Sequence, residues 1–223
     1  MCGRFSLDRS AEILEARFKA KLRISGYQPL YNIGPGMPAA VIPMDDPEGI
    51  SLFPWGLAEQ SRDGKARNLI NARCETFHQK WPFKGISGKG RCLIPASGYI
   101  EWKLIGNKKI PFLIQLKSGE LFAMAGLFEE SNHMRRFTIL TRPAGMVCEE
   151  IHDRMPVILS PDMEREWLSS GHKPEDFSQE FLHLAEPDLH YFSLSPKLNA
   201  SFENNPELLK PTPYSVPEQL KLF

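Results

Sequence analysis

No apolar run in this 223-residue chain approaches the roughly 20 residues that a membrane helix needs. The first residues lack a positively charged region followed by an apolar stretch, so no secretory leader is expected and the chain reads as cytoplasmic and nucleoid-associated. There are only four cysteines, with no CxxC pair and no metal-ligand spacing to the six histidines. That argues against a disulfide framework and a zinc centre, and no metal or cofactor is expected. Cys74, Cys92 and Cys148 read as buried, reduced thiols. Internal repeats and a strand–helix–strand alternation are also missing, which excludes solenoids and doubly wound sheets. Net charge is zero, yet residues 61–117 carry 12 Lys and Arg against 3 Asp and Glu, and residues 143–223 carry 6 against 14. A split of that kind can fold into one basic and one acidic face, and a basic face attracts polyanions.

The remaining pattern is rich in strands. ISLFPWGL, RCLIPASGYIEW, PFLIQL, LFAMAGLF, RFTILT, RMPVIL and LHYFSLS are strand-like runs of β-branched and aromatic residues. Residues 8–22 place Ile13, Leu14, Phe18 and Leu22 at helical spacing. The segment YQPLYNIGPGMPAAVIPM is broken by prolines and glycines into turns and extended chain, ending in a short strand, AAVI. PAGMVCEEIH reads as a short helix with Pro143 at its first position, SPDMEREWLSS as one capped by Ser160, and PEDFSQEFLHLA as a third. The expected fold is a single α+β domain over residues 1–200, with a mostly antiparallel, curved sheet flanked by helices. Residues 201–223 read as a proline-containing tail, loosely held from Pro196 onward.

The chain opens MCGRF. Position 2 is where removal of one residue turns a side chain into a terminus. The small Cys2 side chain permits that trimming, which would leave an amine and a thiol on adjacent carbons. Their ordinary pKa values near 8 and 8.5 make both partly reactive at neutral pH. The pair suits two chemistries. In one, the thiol attacks a carboxamide or peptide carbonyl with the amine as base. In the other, an aldehyde is captured as an imine that the thiol closes into a thiazolidine.

Nine segments run in one order along the chain: MCGRF (1–5), YNIGPG (31–36), FPWGL (53–57), NARCET (71–76), RCLIPASGYIEWK (91–103), AGLF (125–128), FTILT (137–141), IHDRMPVIL (151–159) and SPKLN (195–199). On these the chain strongly resembles the SOS-response-associated peptidase (SRAP) family. The resemblance implies a DNA-damage function: covalent capture and shielding of abasic sites in single-stranded DNA, through a thiazolidine at Cys2 after loss of Met1. The same loss is the origin of the nominal thiol-peptidase label. It implies Asn71 at the abasic sugar, Glu101 as acid/base group and His152 as second proton-transfer group. Arg4 and Arg73 would grip phosphates with Thr141 close by, and Trp55 would form part of the aromatic and apolar floor on which bases stack or against which the duplex end splays. Taken singly, Glu101 reads as a strand-end carboxylate, His152 as structural, Asn71 as a turn residue, the arginines as solvated ion-pair partners and Trp55 as core. Nine motifs in register reverse those readings.

Two other classes are distinguishable. An N-terminal-nucleophile amidotransferase also begins MCG, but it would carry a glycine-rich first strand and an Asn-Gly turn that this chain lacks. A non-catalytic single-stranded DNA-binding module would tolerate loss of Cys2. The chain is expected to act as a monomer. Its last residues, QLKLF, resemble the pentapeptide by which bacterial repair proteins dock on the sliding clamp, with Gln219 at the rim and Leu220, Leu222 and Phe223 in the pocket.

Overall fold

The runs rich in β-branched and aromatic residues fold as strands, and most prolines and glycines fall between them or at their ends, although Pro95, Pro111 and Gly126 lie inside strands. The computed structural model describes residues 2–60, 66–199 and 203–214. The chain runs β1 (Arg4–Leu7), α1 (Ala11–Phe18), β2 (Lys21–Leu22), β3 (Leu30–Ile33), β4 (Pro38–Pro43), β5 (Gly49–Pro54), β6 (Leu57–Gln60) and β7 (Ala66–Leu69). It continues β8 (Asn71–Arg73), α2 (Phe83–Ile86), β9 (Arg91–Ala96), β10 (Gly98–Ile105), β11 (Lys108–Leu116), β12 (Phe122–Ser131) and β13 (Met134–Pro143). Last come α3 (Met146–Glu149), β14 (Arg154–Pro156), β15 (Ile158–Leu159), α4 (Pro161–Leu168), α5 (Pro174–His183) and β16 (Leu189–Ser193), followed by two short 3-10 turns at Pro196–Asn199 and Pro206–Leu209.

Two larger sheets result. One has the order β16-β11-β10-β1-β3; the other runs β14-β13-β12-β9-β4-β5-β2, with β15 on β12 and β8 on β13. Pairing is antiparallel except for β2 with β5 and β8 with β13. This is the expected α+β domain with curved, unclosed sheets. β9 is buried at all six positions because β12 and β4 flank it on both edges. The core between the sheets takes in Phe5, Trp55, Phe77, Tyr99, Phe137 and Trp167, all at most 1 % exposed. Burying side chains of this size supplies the main favourable term in folding. No helix among the described residues is long and apolar enough to cross a membrane.

Several expectations are corrected. The first helix stops at Phe18, because Lys19 adopts a left-handed conformation (φ 52°) and Lys21–Leu22 then pair with Gly49–Ile50; Ile13 stays half exposed. Pro143 ends β13 instead of starting a helix, and Gly145 takes the N-cap. RMPVIL is split into β14 and β15, since the Val157 N–H donates to the Leu140 carbonyl while its own carbonyl accepts from Ala125. Ser160 does cap α4, accepting from the Met163 N–H with Pro161 at the first position.

The boundary at residue 200 does not separate packed from loose chain. Leu198 and Leu208 are buried against Ile100, Leu113 and Leu194. Asn204 accepts from the Tyr31 N–H and donates to the Pro29 carbonyl, both at 2.9 Å, and the Thr212 N–H donates to the Ser193 carbonyl at 2.8 Å. The QLKLF motif lies outside the described residues.

Candidate active site

β1 lies between β10 and β3, with Arg4 opposite Ile100 and Phe5 opposite both Tyr99 and Ile33. That pairing delivers Cys2, two residues before the strand, to the neighbourhood of Glu101. The Cys2 side chain is fully buried, with Sγ 3.5 Å from the Arg4 carbonyl. Burial, and then the nearby Glu101 charge, push the thiol well above its ordinary range. The Cys2 thiol is therefore a neutral, packed group at neutral pH.

β8 reaches the same place from the other sheet. Its first residue, Asn71, donates from Nδ2 to the Cys2 carbonyl at 2.8 Å. Its Oδ1 is buried and has no partner among the described residues, a condition that costs about 1–3 kcal/mol unless something is bound there. Glu101 sits on β10 with 3 % of its surface exposed. Burial pushes its carboxyl up to about 7, into the range where an acid both holds and releases a proton at neutral pH.

His152 arrives on the turn after α3, its N–H donating to the Cys148 carbonyl at 3.0 Å. Two groups compete for its Nδ1. The neutral ring accepts from the Arg154 N–H at 3.0 Å, and a protonated ring would donate to the Asp153 carboxylate at 2.7 Å. Burial lowers the His152 pKa, which favours the neutral ring. Glu101 and His152 line one open pocket of about 550 Å³ with Trp102, Lys109 and Asn199. The Trp102 indole donates to Asn199 Oδ1 at 2.5 Å, fixing the SPKLN turn as one wall.

The arginines differ. Arg4 donates from Nη1 to Asn32 Oδ1 at 2.6 Å and packs against Gly34, where an added Cβ would come within 3.3 Å of Arg4 Nε. The YNIGPG motif thus supplies both a partner and a space for Arg4. Arg73 is exposed at the end of β8.

Two sequence expectations do not fit. Trp55 has no exposed surface: its indole donates to the Ile70 carbonyl at 2.8 Å and its ring packs on Phe137 and Phe5. It is core beneath the site, and a base cannot stack directly on it. Thr141 is also fully buried, its hydroxyl donating to the Ala72 carbonyl and accepting from Arg154, so it holds β8 on β13 instead of facing a ligand.

Sequence reasoning missed Arg154, Glu75, and the pair Tyr99 and Cys148. The Arg154 guanidinium grips the Glu75 carboxylate with both nitrogens and donates to the Thr141 carbonyl at 2.6 Å. Burial alone would raise the Glu75 carboxyl, but Arg154 outweighs it and holds it below its ordinary value. This pair ties the end of β8 to the strand that follows His152. Both residues lie within motifs of the sequence, NARCET and IHDRMPVIL, and their opposite charges were the available signal. The Tyr99 hydroxyl and Cys148 Sγ are buried at 3.0 Å from one another, linking β10 to α3. Nothing in the sequence pairs those two.

The pattern of the SOS response associated peptidase (SRAP) family matches residues 1–201. The abasic site processing protein YoqW of Bacillus subtilis is 36 % identical over 222 residues, covering 94 % of this chain and 99 % of that one. YedK of Escherichia coli, another abasic site processing protein, is 36 % identical over 179 residues, covering 75 % and 79 %. Among solved structures, a protein from Bacteroides thetaiotaomicron superposes with a TM-score of 0.83 over 95 % of this chain and 100 % of that one; at 22 % identity it shows the fold alone. A phage-related protein from Bordetella bronchiseptica is 30 % identical with a TM-score of 0.69, covering 86 % and 94 %. With the family pattern spanning nearly the whole chain and relatives at this level of identity, the chain belongs to the SOS response associated peptidase family.

Proposed function

We propose that this protein captures abasic sites in single-stranded DNA by forming a thiazolidine with Cys2 after loss of Met1. The observation that carries the reading is the convergence of Cys2, Asn71, Glu101 and His152 from four distant segments, with Glu101 held near neutral pKa. Relatives named for abasic site processing support the substrate class.

The chemistry balances without a cofactor. The free Cys2 amine adds to the aldehyde carbon of the ring-opened deoxyribose to give a carbinolamine. Protonated Glu101 delivers its proton to the departing hydroxyl, water leaves and an iminium forms. The Cys2 thiol loses its proton to a base, for which neutral His152 is suited, and the sulfur closes the five-membered ring. Amine, thiol and aldehyde become thiazolidine and one water. Asn71, through its buried Oδ1, accepts a hydroxyl hydrogen of the sugar, while Arg4 and Arg73 meet phosphates as planar donor forks. The test is a denaturing gel of Met1-processed protein with an oligonucleotide carrying one abasic site. Cys2→Ala is expected to give no adduct, Cys2→Ser only an imine trapped by borohydride, and Cys74→Ser, Cys92→Ser and Cys148→Ser a normal adduct. A stable adduct from Cys2→Ala without reductant overturns the thiazolidine.

The QLKLF tail adds a partner to this reading, a bacterial sliding clamp that would tether the protein near replicating DNA. Burial of Leu220, Leu222 and Phe223 can contribute several kcal/mol, less the ordering cost of a short peptide, so micromolar affinity is expected. A peptide of residues 211–223 titrated against purified clamp by fluorescence anisotropy checks it. Absence of binding at about 100 μM, a ceiling near −5.5 kcal/mol, or equal binding by a Leu222→Ala/Phe223→Ala control, refutes it.

A further inference from the structure

Among the described residues, the large apolar side chains left exposed include one aromatic ring, Trp81, with 78 % of its surface accessible. Trp55 and Trp167 are fully buried, and Trp102 donates to Asn199. An indole gains nothing from facing water, so a ring held outward invites an explanation.

It is held on an ordered segment. The Phe77 N–H donates to the Arg73 carbonyl, Lys80 N–H to Thr76, and Lys84 N–H to Lys80 at 2.8 Å, a run of helical turns leading directly off β8. Fully buried Phe77 pins one end edge-on against Trp167, 6.0 Å between centroids. Gly90 pins the other: its carbonyl accepts from the Phe128 N–H at 2.6 Å, and a Cβ there would stand 2.1 Å from the Phe128 oxygen. The Trp81 ring lies over Gly85, close enough that a Cβ on that residue would come within 3.2 Å of a ring carbon. A ring backed in this way is a preorganised flat surface.

Its surroundings are basic. Lys80, Lys84 and Lys89 are all exposed, and none is in an ion pair among the described residues. Lys80 and Lys84 lie one helical turn apart and flank the ring in sequence. From Thr76 to Ile100 there is no Asp or Glu. Exposed Arg73 begins the same run of turns. An aromatic face beside exposed cations that form no ion pair among the described residues is the chemistry that holds stacked bases and their phosphates.

We propose that Trp81 is a base-stacking platform for single-stranded nucleic acid, with Lys80 and Lys84 meeting the adjoining phosphates, outside the pocket where the reaction occurs. The proposal rests on the DNA reading above but does not need the covalent step. A docking surface for an acidic protein would use the same lysines; the flat, exposed indole lying over Gly85 favours a base.

The experiment uses the full chain and an undamaged 15-mer of thymidine, so crosslinking cannot contribute. Trp81 is the exposed indole, so single-stranded DNA is expected to quench tryptophan emission, and Trp81→Phe to remove most of that quench. Fluorescence anisotropy is expected to show roughly tenfold weaker binding for Trp81→Ala, the loss of about one stacked base, with much of it restored in Trp81→Phe. The slope of log affinity against log salt should stay unchanged in Trp81→Ala. It should fall by about 0.7 in Lys80→Ala and again in Lys84→Ala, since each removes one cation from a phosphate. Binding within twofold of the parent, an equal loss on duplex and single strands, or a salt slope that falls in Trp81→Ala overturns the platform. Failure of the covalent reading would appear instead as no adduct from a parent protein whose quench by the undamaged strand is intact.

Discussion

Replacing Glu101 by glutamine tests the acid assignment through stability as well as rate. The side chain keeps its shape, and only the ability to ionise is lost. In the folded chain the carboxyl is pushed up to about 7 from an ordinary 4.5, chiefly by burial. A carboxyl whose folded pKa is raised favours the folded state while it is protonated. That contribution is complete below the unfolded value and is lost as pH rises from about 4.5 through 7. The difference amounts to roughly 3 kcal/mol by pH 8.5, an upper figure because buried charges attract water and relax their surroundings. Glu101→Gln never acquires the charge. Urea denaturation followed by tryptophan fluorescence should therefore give nearly equal stabilities near pH 5. At pH 8.5 the variant should be the more stable, by up to about 3 kcal/mol. The same burial serves the chemistry. At pH 7.5 a carboxyl at 4.5 would be protonated about one time in a thousand, whereas one at 7 is protonated roughly one time in four, a gain of roughly 200-fold in available acid. Crosslinking by Glu101→Gln should fall by about 10²–10⁴-fold, as expected for loss of a general acid. It should also lose the decline in rate that is expected of the parent above pH 7. A variant no more stable than the parent at pH 8.5 would mean that Glu101 is not held protonated by burial, and the acid assignment would fail with it.

Tyr99→Phe and Cys148→Ala should each slow crosslinking and shift its pH profile, because the bond they break ties the strand of Glu101 to the helix whose last carbonyls hold His152; Cys148→Ser, which keeps a hydrogen-bonding group, should recover most of the rate, and a Ser variant as slow as Ala would show that packing alone is at stake. Arg154→Met should lower stability by about 3 kcal/mol by stranding the Glu75 carboxylate, and adding Glu75→Gln should restore part of it, both measured by denaturation. Arg73→Ala should weaken single-stranded DNA binding and reduce its salt slope by about 0.7, while Glu101→Gln leaves binding almost intact; equal losses in the two would reverse their assignments.

The strands and the burial of the Glu101 carboxyl were legible in the sequence because each rests on a local pattern. RCLIPASGYIEW announces two strands through its β-branched and aromatic residues, and the apolar neighbours of Glu101 already imply burial, hence a raised pKa. What the sequence hid is set by partners far along the chain. Whether Trp55 faces a ligand or the core depends on Phe5, Phe137 and the Ile70 carbonyl, none of which is near it in sequence. Thr141 looks like a polar group at a strand end until Ala72 and Arg154 occupy its hydroxyl. The tail past Pro196 has the composition of loose chain, yet Leu198 and Leu208 find a small apolar patch on the outer face of β10 and β11. Glu101 itself unites the two kinds of information. Alternation along β10 sends Ile100 to that outer patch and Tyr99 and Glu101 to the other face. On that face, burial raises the Glu101 carboxyl, and Tyr99, through Cys148, supports the turn that brings His152. A single strand with one residue's shift in register would exchange the acid for Ile100. The pairing of Arg4 with Ile100 and Phe5 with Tyr99 is therefore as much a part of the candidate chemistry as the carboxylate, because it fixes both the face that Glu101 occupies and the place where Cys2 arrives.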